Sequence, residues 1–404
     1  MGLTLTVADE FCSQGRVKIL HSPYCSCCYM EEKFSLKDHL FNPDKVAQLA
    51  QQLARVFPGF QSADFIADVV ASFPVLELKQ RIVHIRTCLH TYLPSDYRQA
   101  VAILLEALPA PLDEWRTDDD FGDFIHAPFG DFVAHYGCTQ EHLAFSMAAL
   151  REITKRFSAE DAIRYFINAF PEEAFSTLLE WTQDPNYHVR RLCSEGSRPK
   201  LPWSQKLISS PEKALPILDR LYTDPTRYVT RSVANHLNDL SKTHPEIVLQ
   251  RLSVWTEQGG QTATEMAFLQ KHALRTLVKT GLPAALALLG YGDHRGITLT
   301  SVQHSLEVRM GEALWFSFCL TTEESKNLVV DYVLYFQSKL GQRANKKIFK
   351  LRTINLSAGE TIHVEKRHPL RRNMTTRPLF SGTHKVEIQV NGNVLAYFFF
   401  ELIP

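Results

Sequence analysis

Between Asn186 and Lys206 the chain gathers Arg190, Arg191, Arg198, Lys200 and Lys206 against a single acid, Glu195. Ser194, Gly196, Ser197 and Trp203 interleave these charges with hydroxyls, a backbone point without a Cβ and an indole, and His188 adds an imidazole near the start. Guanidinium, ammonium and hydroxyl donors on one surface are the groups that contact phosphate oxygens. The run Gly196-Ser-Arg-Pro-Lys-Leu-Pro-Trp203 carries two prolines. Each fixes its own φ and restricts the residue before it, so the segment is stiffer than a linker. The alternative is a solvated basic face.

Two further basic segments lie toward the C-terminus: Arg343, Lys346, Lys347, Lys350 and Arg352, then Lys366, Arg367, His368, Arg371, Arg372 and Arg377, with no acid inside either. They imply a second grip on a polyanion. The stretch Asp113 to Asp123 holds six acids and one Arg and reads as a solvated loop. Lys plus Arg equals Asp plus Glu at 44 each, so net charge favours no polyanionic partner and only the local clusters do. Cys25, Cys27 and Cys28 form C-x-C-C beside His21, but no second pair follows at zinc-finger spacing, and no metal is expected. Nucleotide-cradling glycine loops, H-E-x-x-H and G-x-S-x-G are all missing from the sequence. That argues against nucleotide-dependent, zinc and serine hydrolases.

The elements that must position these residues divide in two, as 404 residues would suggest. From about Ser35 to Gly290 apolar residues recur at helical spacing between short Pro, Gly or Asp-Pro breaks. This spacing predicts helices over Val46–Phe57, Ala63–Ser72, Glu77–Leu93, Tyr97–Ala107, Gln140–Arg156 and Ala159–Ala169. Trp181-Thr-Gln-Asp-Pro-Asn-Tyr-His-Val-Arg-Arg returns 40 residues later as Leu221-Tyr-Thr-Asp-Pro-Thr-Arg-Tyr-Val-Thr-Arg, and Gln270-Lys-His-Ala-Leu-Arg275 is a weaker third copy. That period, with Asp-Pro opening a helix, marks a HEAT-like solenoid of helix pairs. Stacked pairs align one helix row on the concave side, which would put Arg191 and Arg231 along an inner surface. The alternative is that these arginines brace the Asp of a neighbouring repeat.

After Gly290-Tyr-Gly-Asp-His-Arg-Gly296 the pattern turns strand-like, with runs at Leu306–Arg309, Glu312–Leu320, Leu328–Gln337, Lys346–Leu356, Thr361–Lys366, His384–Val390 and Val394–Leu402. Asn391-Gly392 is a two-residue hairpin signal. About seven strands in this length fit an immunoglobulin-like β-sandwich without its disulfide. The fold class is therefore multidomain, α then all-β: an expected disordered tail over residues 1–30, with Met30 an alternative start, a helical solenoid over 31–292 and a sandwich over 298–404. No run of eighteen apolar residues spans a bilayer, and the first thirty residues lack a secretory signal. A cytoplasmic, reducing location is expected.

The string His188-Val-Arg-Arg-Leu-Cys-Ser-Glu-Gly-Ser-Arg-Pro-Lys-Leu-Pro-Trp203 resembles the signature of HEAT-like-repeat DNA alkylation-repair glycosylases, on the AlkC side of the AlkC/AlkD superfamily. The similarity extends to Leu76-Glu-Leu-Lys-Gln-Arg81, Phe124 to Gly137 and Ser158 to Arg164, and the C-terminal sandwich resembles a domain that some of these proteins append. The resemblance implies a bacterial monomer acting on double-stranded DNA at the nucleoid. It would excise cationic N-alkylated bases, namely 3-methyladenine, 3-methylcytosine and 1-methyladenine, without metal or organic cofactor. A base that already carries a positive charge leaves its sugar without strong acid, so the protein has mainly to stabilise the sugar cation and position water, a task for carboxylates. By the same resemblance the carboxylates are Asp131 in Phe129-Gly-Asp-Phe-Val-Ala134, Glu160 at the next helix pair and Glu195, with Trp203 as an aromatic wall. Asp131 and Glu160 also stand where a helix cap would. The DNA-binding set is His188, Arg190, Arg191, Ser194, Ser197, Arg198, Lys200 and Arg231, with Lys366, Arg367, Arg371 and Arg372 on the sandwich. The competing function is a non-catalytic scaffold that binds damaged or bent DNA, or protein.

Overall fold

A computed structural model of the chain describes residues 35–113, 121–337, 345–372 and 378–404. The expected tail with Cys25, Cys27 and Cys28, most of the acidic segment, Arg343 and Arg377 lie outside the described residues. The chain divides into two compact units, Met1–Val233 and Ala234–Pro404.

The first unit is helical: α1 (Leu36–Leu40), α2 (Pro43–Val56), α3 (Ser62–Ala71), α4 (Leu78–Tyr92), α5 (Tyr97–Ala107), α6 (Ala127–Gly137), α7 (Leu143–Thr154), α8 (Ile163–Ala169), α9 (Pro171–Trp181), α10 (Tyr187–Gly196), α11 (Leu215–Leu221) and the start of α12 (Arg227–Leu240). Its core is aliphatic and aromatic, with Leu49, Phe65, Ile85, Phe129, Leu150 and Phe166 fully buried. The 40-residue repeat has a physical cause. Asp184 accepts a hydrogen bond from the Asn186 amide and Asp224 one from the Thr226 amide, each at 2.8 Å, so the same Asp-Pro turn opens both helices. Each aspartate also receives an arginine from the preceding repeat: Arg151 pairs with Asp184, and Arg190 bonds both oxygens of Asp224 at 2.5 and 3.1 Å. The repeats are thus tied by a ladder of arginine–aspartate pairs, bracing in the sense foreseen but through Arg190 rather than Arg191.

The second unit continues with α13 (Pro245–Gln258), α14 (Ala263–Ala273), α15 (Arg275–Lys279) and α16 (Pro283–Leu288) before strand begins. The expected change from helix to strand near Gly296 therefore falls inside this unit. Eight strands follow among the described residues: β1 (Ile297–His304), β2 (Glu307–Arg309), β3 (Ala313–Thr322), β4 (Lys326–Phe336), β5 (Asn345–Leu356), β6 (Thr361–Pro369), β7 (Gly382–Val390) and β8 (Asn393–Ile403). They form two sheets, β1-β3-β6 and β2-β8-β7-β4-β5. Alternate residues Leu314, Phe316, Phe318 and Leu320 of β3 share the core with Leu328, Val330 and Leu334 of β4, Ile388 of β7 and Phe400 of β8. This is the two-sheet packing of an immunoglobulin-like sandwich.

Strand β1 was not among the expected strands, because its pairing with β3 is interrupted by a bulge between Thr300 and Gln303 that breaks the period of two. Asn391 and Gly392 turn β7 into β8 at φ 47° and 77°, the left-handed pair a tight hairpin needs. The Asn391 side chain accepts from the Val329 amide at 2.8 Å and donates to the Gly292 carbonyl at 2.8 Å. Gly392 and Gly281 meet backbone to backbone, where a Cβ on Gly392 would lie 2.5 Å from the Gly281 Cα.

Candidate active site

Three segments of the first unit bring ionisable and aromatic groups together. Lys79, Arg86 and His90 recur along α4 at spacings that share one helical face. Asp131 and His135 stand one turn apart on α6, and Asp161 and Tyr165 one turn apart leading into α8. The Arg86 guanidinium donates to Asp131 Oδ2 at 3.1 Å, and Lys79 Nζ lies 3.3 Å from Asp161 Oδ2. Tyr136 stacks on His90 at 4.3 Å between ring centres, with Arg86 over its ring.

Burial pushes the Asp131 carboxyl above its ordinary value; Arg86 and His135 oppose that rise and the charge of Asp161 adds to it. The Tyr165 phenol is raised by burial and then by Asp161 and Asp131 together. Gly130 and Ala162, the chain neighbours of Asp131 and Asp161, pack against each other, a Cβ on Gly130 lying 3.4 Å from that of Ala162, so the two carboxylates come from adjoining helix starts. Tyr165 is 40% and Trp203 42% exposed.

Trp203 sits on a segment clamped from α8. Fully buried Arg164 donates to the carbonyls of Gly196, Arg198 and Gln205 at 2.9, 2.8 and 2.8 Å. One turn on, Asn168 donates to the Lys206 carbonyl at 2.9 Å and accepts from the Ile208 amide at 3.0 Å. Trp203 itself adopts φ 73°, a left-handed conformation that costs a residue with a Cβ about 1–2 kcal/mol. Its carbonyl accepts from Lys79.

Glu160 and Glu195 do not join this cluster. Glu160 accepts from Ser158 at 2.8 Å and Arg191 at 2.9 Å. Glu195 is buried, accepting from Arg198 and from Ser232 at 2.6 Å, with Arg191 3.8 Å away. Burial alone would raise the Glu195 carboxyl, but Arg198, Arg191 and Ser232 outweigh it and hold it well below the usual range. Both acids belong to the network around buried Arg191, which also lies over the rings of Tyr228 at 4.4 Å and Phe121 at 5.0 Å.

The basic segment of α10 is likewise interior, which differs from the expectation of a DNA-facing row. His188 is buried and its imidazole pushed down to about 4 by burial and Arg191. Arg190 is held by Asp224. Ser194 bonds Ser232 at 3.0 Å, Ser197 donates to the Cys193 carbonyl at 2.7 Å, and Arg198 pairs with Glu195. Arg231 is partly buried beside Tyr228. Helix α10 carries the next repeat on one side and the previous one on the other, so its charges are consumed in bracing. Lys200 is exposed. On the sandwich Lys366 is half-buried, Arg367, Arg371 and Arg372 are exposed, and Arg372 Nε donates to the Met310 carbonyl at 2.8 Å.

Lys79, Arg86, Asp161 and Tyr165 were not among the expected site residues. For Asp161 and Tyr165 the local signal is their i, i+4 spacing, one residue from Glu160. A groove of about 710 Å³ between α7 and α9, lined by Leu143, Met147, Trp181 and the Arg151–Asp184 pair, is separate and holds none of these groups. Among the described residues no group of three or more His, Cys, Asp or Glu side chains could hold a metal ion, and no helix is long and apolar enough to cross a membrane.

Comparison with solved structures gives a match to Pseudomonas fluorescens alkylpurine DNA glycosylase AlkC, bound to DNA containing an abasic site analog. The TM-score is 0.81 and the identity 34%, covering 92% of this chain and all of that one. The chain belongs to the AlkC family. It is also 33% identical over 360 residues to the uncharacterized protein YhaZ of Bacillus subtilis (strain 168), across 88% of this chain and 96% of that relative. The family described as uncharacterised protein YhaZ, C-terminal Ig-like domain, matches residues 299–404, the sandwich of this AlkC-family chain. Asp131, Asp161, Tyr165 and Trp203 thus lie in the helical part of an AlkC fold, ahead of that domain.

Proposed function

We propose that this chain is a DNA glycosylase that removes cationic N-alkylated bases, among them 3-methyladenine, 3-methylcytosine and 1-methyladenine, from double-stranded DNA. The observation that carries the reading is the grouping of Asp131, held by Arg86, with Asp161, which Lys79 joins to the carbonyl of part-exposed Trp203 and which stands one turn from part-exposed Tyr165, on a fold shared with an alkylpurine DNA glycosylase.

In the reaction the C1′–N bond breaks with its electron pair going to the base, which leaves neutral because the alkyl group had already made it cationic. No acid is needed to protonate it, and no metal or organic cofactor is required. The positive charge left on the sugar is stabilised by the carboxylates of Asp131 and Asp161. Water bonds to C1′ and gives its proton to Asp131, whose affinity for a proton is raised by burial. The products are free base and an abasic site. Tyr165 and Trp203 offer ring faces to the cationic nucleotide.

Lys200, and Lys366, Arg367, Arg371 and Arg372 of the sandwich, supply phosphate contacts. His188, Arg190, Arg191, Ser194, Ser197, Arg198 and Arg231, with Glu160 and Glu195, hold the helices that carry the site. The protein acts as a monomer in the cytoplasm. The test is to incubate it with a methylated duplex and measure free base by chromatography and abasic sites by alkaline strand cleavage. Equal amounts of both are expected. Salt-sensitive binding without abasic sites would favour a DNA-binding scaffold instead.

A further inference from the structure

Lys79 occupies a position that the chemistry above does not explain. It projects from the first turn of α4, which is locked by a capping box: the Gln80 side chain accepts from the Glu77 amide at 2.8 Å while the Glu77 side chain accepts from the Gln80 amide. From this fixed base its ammonium reaches two partners 82 and 124 residues away, Asp161 Oδ2 at 3.3 Å and the Trp203 carbonyl. Trp203 is one of three residues other than glycine with positive φ among the described residues. Arg164 and Asn168 clamp its segment at Gly196, Arg198, Gln205, Lys206 and Ile208. At Trp203 itself the held atom is the carbonyl that Lys79 bonds.

We propose that Lys79 is a positioning residue: one ammonium, bonded to the Trp203 carbonyl and the Asp161 carboxylate, holds the indole in its left-handed conformation and fixes it relative to that carboxylate. This rests on the base-excision reading for its consequence in catalysis, but the positioning itself does not. A strained residue keeps its conformation only where its surroundings over-determine it. The prolines on either side of Leu201 and the α8 clamp fix the path of the segment, and Lys79 fixes the peptide plane that follows the indole-bearing Cα. Because Lys79 and Asp161 are each about half exposed, at 48% and 50%, their ion pair adds little to overall stability. Its function is orientation.

The experiment compares wild type, Lys79→Met and Lys79→Arg as full-length protein labelled with 5-fluorotryptophan. The Trp203 resonance in the fluorine spectrum is assigned by Trp203→Phe. In Lys79→Met that resonance shifts or broadens while those of Trp181, Trp255 and Trp315 stay fixed, and the thermal midpoint stays near wild type. Single-turnover base release falls about 100-fold, the scale expected for a misplacement of about 1 Å. DNA affinity and its salt dependence are unchanged, and Lys79→Arg restores most of the rate. An unmoved Trp203 resonance overturns the inference. So does a weaker affinity with a salt slope reduced by about one, the signature of a phosphate contact. If the wild type releases no base while the Trp203 resonance still depends on Lys79, the glycosylase reading fails and the positioning stands.

Discussion

Replacing Glu195 by Ala separates a structural acid from a catalytic one. The carboxylate is 4% exposed, accepts from Arg198 and from Ser232 at 2.6 Å, and faces Arg191 at 3.8 Å. Removing one partner of a buried ion pair costs about 3–5 kcal/mol, because the remaining charge stays desolvated. Arg191 keeps Glu160 at 2.9 Å, so the lower end applies, about 3 kcal/mol. Against a typical total of about 5–15 kcal/mol that is a large loss. The assay is urea unfolding of wild type and variant, followed by the helical circular dichroism signal at neutral pH. The carboxyl is held below its ordinary value in the folded state, so its contribution is present above the unfolded value and is lost as pH falls through the folded one. The gap between the two proteins therefore narrows in acid. An unfolding free energy within about 0.5 kcal/mol of wild type, together with loss of base release, would refute this assignment and put Glu195 in the chemistry.

Base release rises with pH as Asp131 loses its proton, with a midpoint above the usual carboxylate value. Because Arg86 opposes that rise, Arg86→Met moves the acid limb of the single-turnover rate profile to higher pH. The Asp331 carboxyl on β4 is pushed up to about 6 by burial, opposed by Lys350 and Lys279. Folding therefore favours its protonated form, and the wild type loses stability as pH rises from the unfolded value through about 6. Asp331→Asn should be the more stable protein by up to about 3 kcal/mol in mild alkali and level with wild type in acid; equal thermal shifts at both ends would contradict this. Gly392→Ala should destabilise more than Gly359→Ala. Both glycines have positive φ, at 77° and 73°, but a Cβ on Gly392 would meet Gly281 at 2.5 Å whereas one on Gly359 meets nothing within 4 Å. The excess, about 1–3 kcal/mol, is read from the two unfolding curves.

Much of the fold was legible because its signals are local. Asp-Pro at 184 and 224 caps its own helix, the β3 alternation shows its buried face, and Asn391-Gly392 names its turn. The site was less so. Nothing local distinguishes Glu160, bonded to buried Arg191, from Asp161, bonded to half-exposed Lys79; the register of the turn into α8 decides, and long-range packing sets that register. The charges of α10 were misleading for a related reason. A basic helix is read as exposed when its partners are unknown, and the acids that absorb Arg190 and Arg191 are Asp224 and Glu160, more than thirty residues away. Trp203 was expected from the basic string that it ends and from the resemblance that string carries, whereas the lysine that bonds its carbonyl comes from another helix altogether.

The proposed reaction gives the work on the substrate to Asp131 and Asp161 rather than to Glu160 and Glu195. It is tested most directly by single-turnover release of 3-methyladenine from a methylated duplex by Asp131→Asn, Asp161→Asn, Glu160→Gln and Glu195→Gln, each confirmed folded and DNA-bound. Losses on the order of 100-fold or more are expected for the two aspartate variants at unchanged DNA affinity, and near-normal rates for the two glutamate variants. Full activity in both aspartate variants, or loss confined to the glutamate variants, would contradict it.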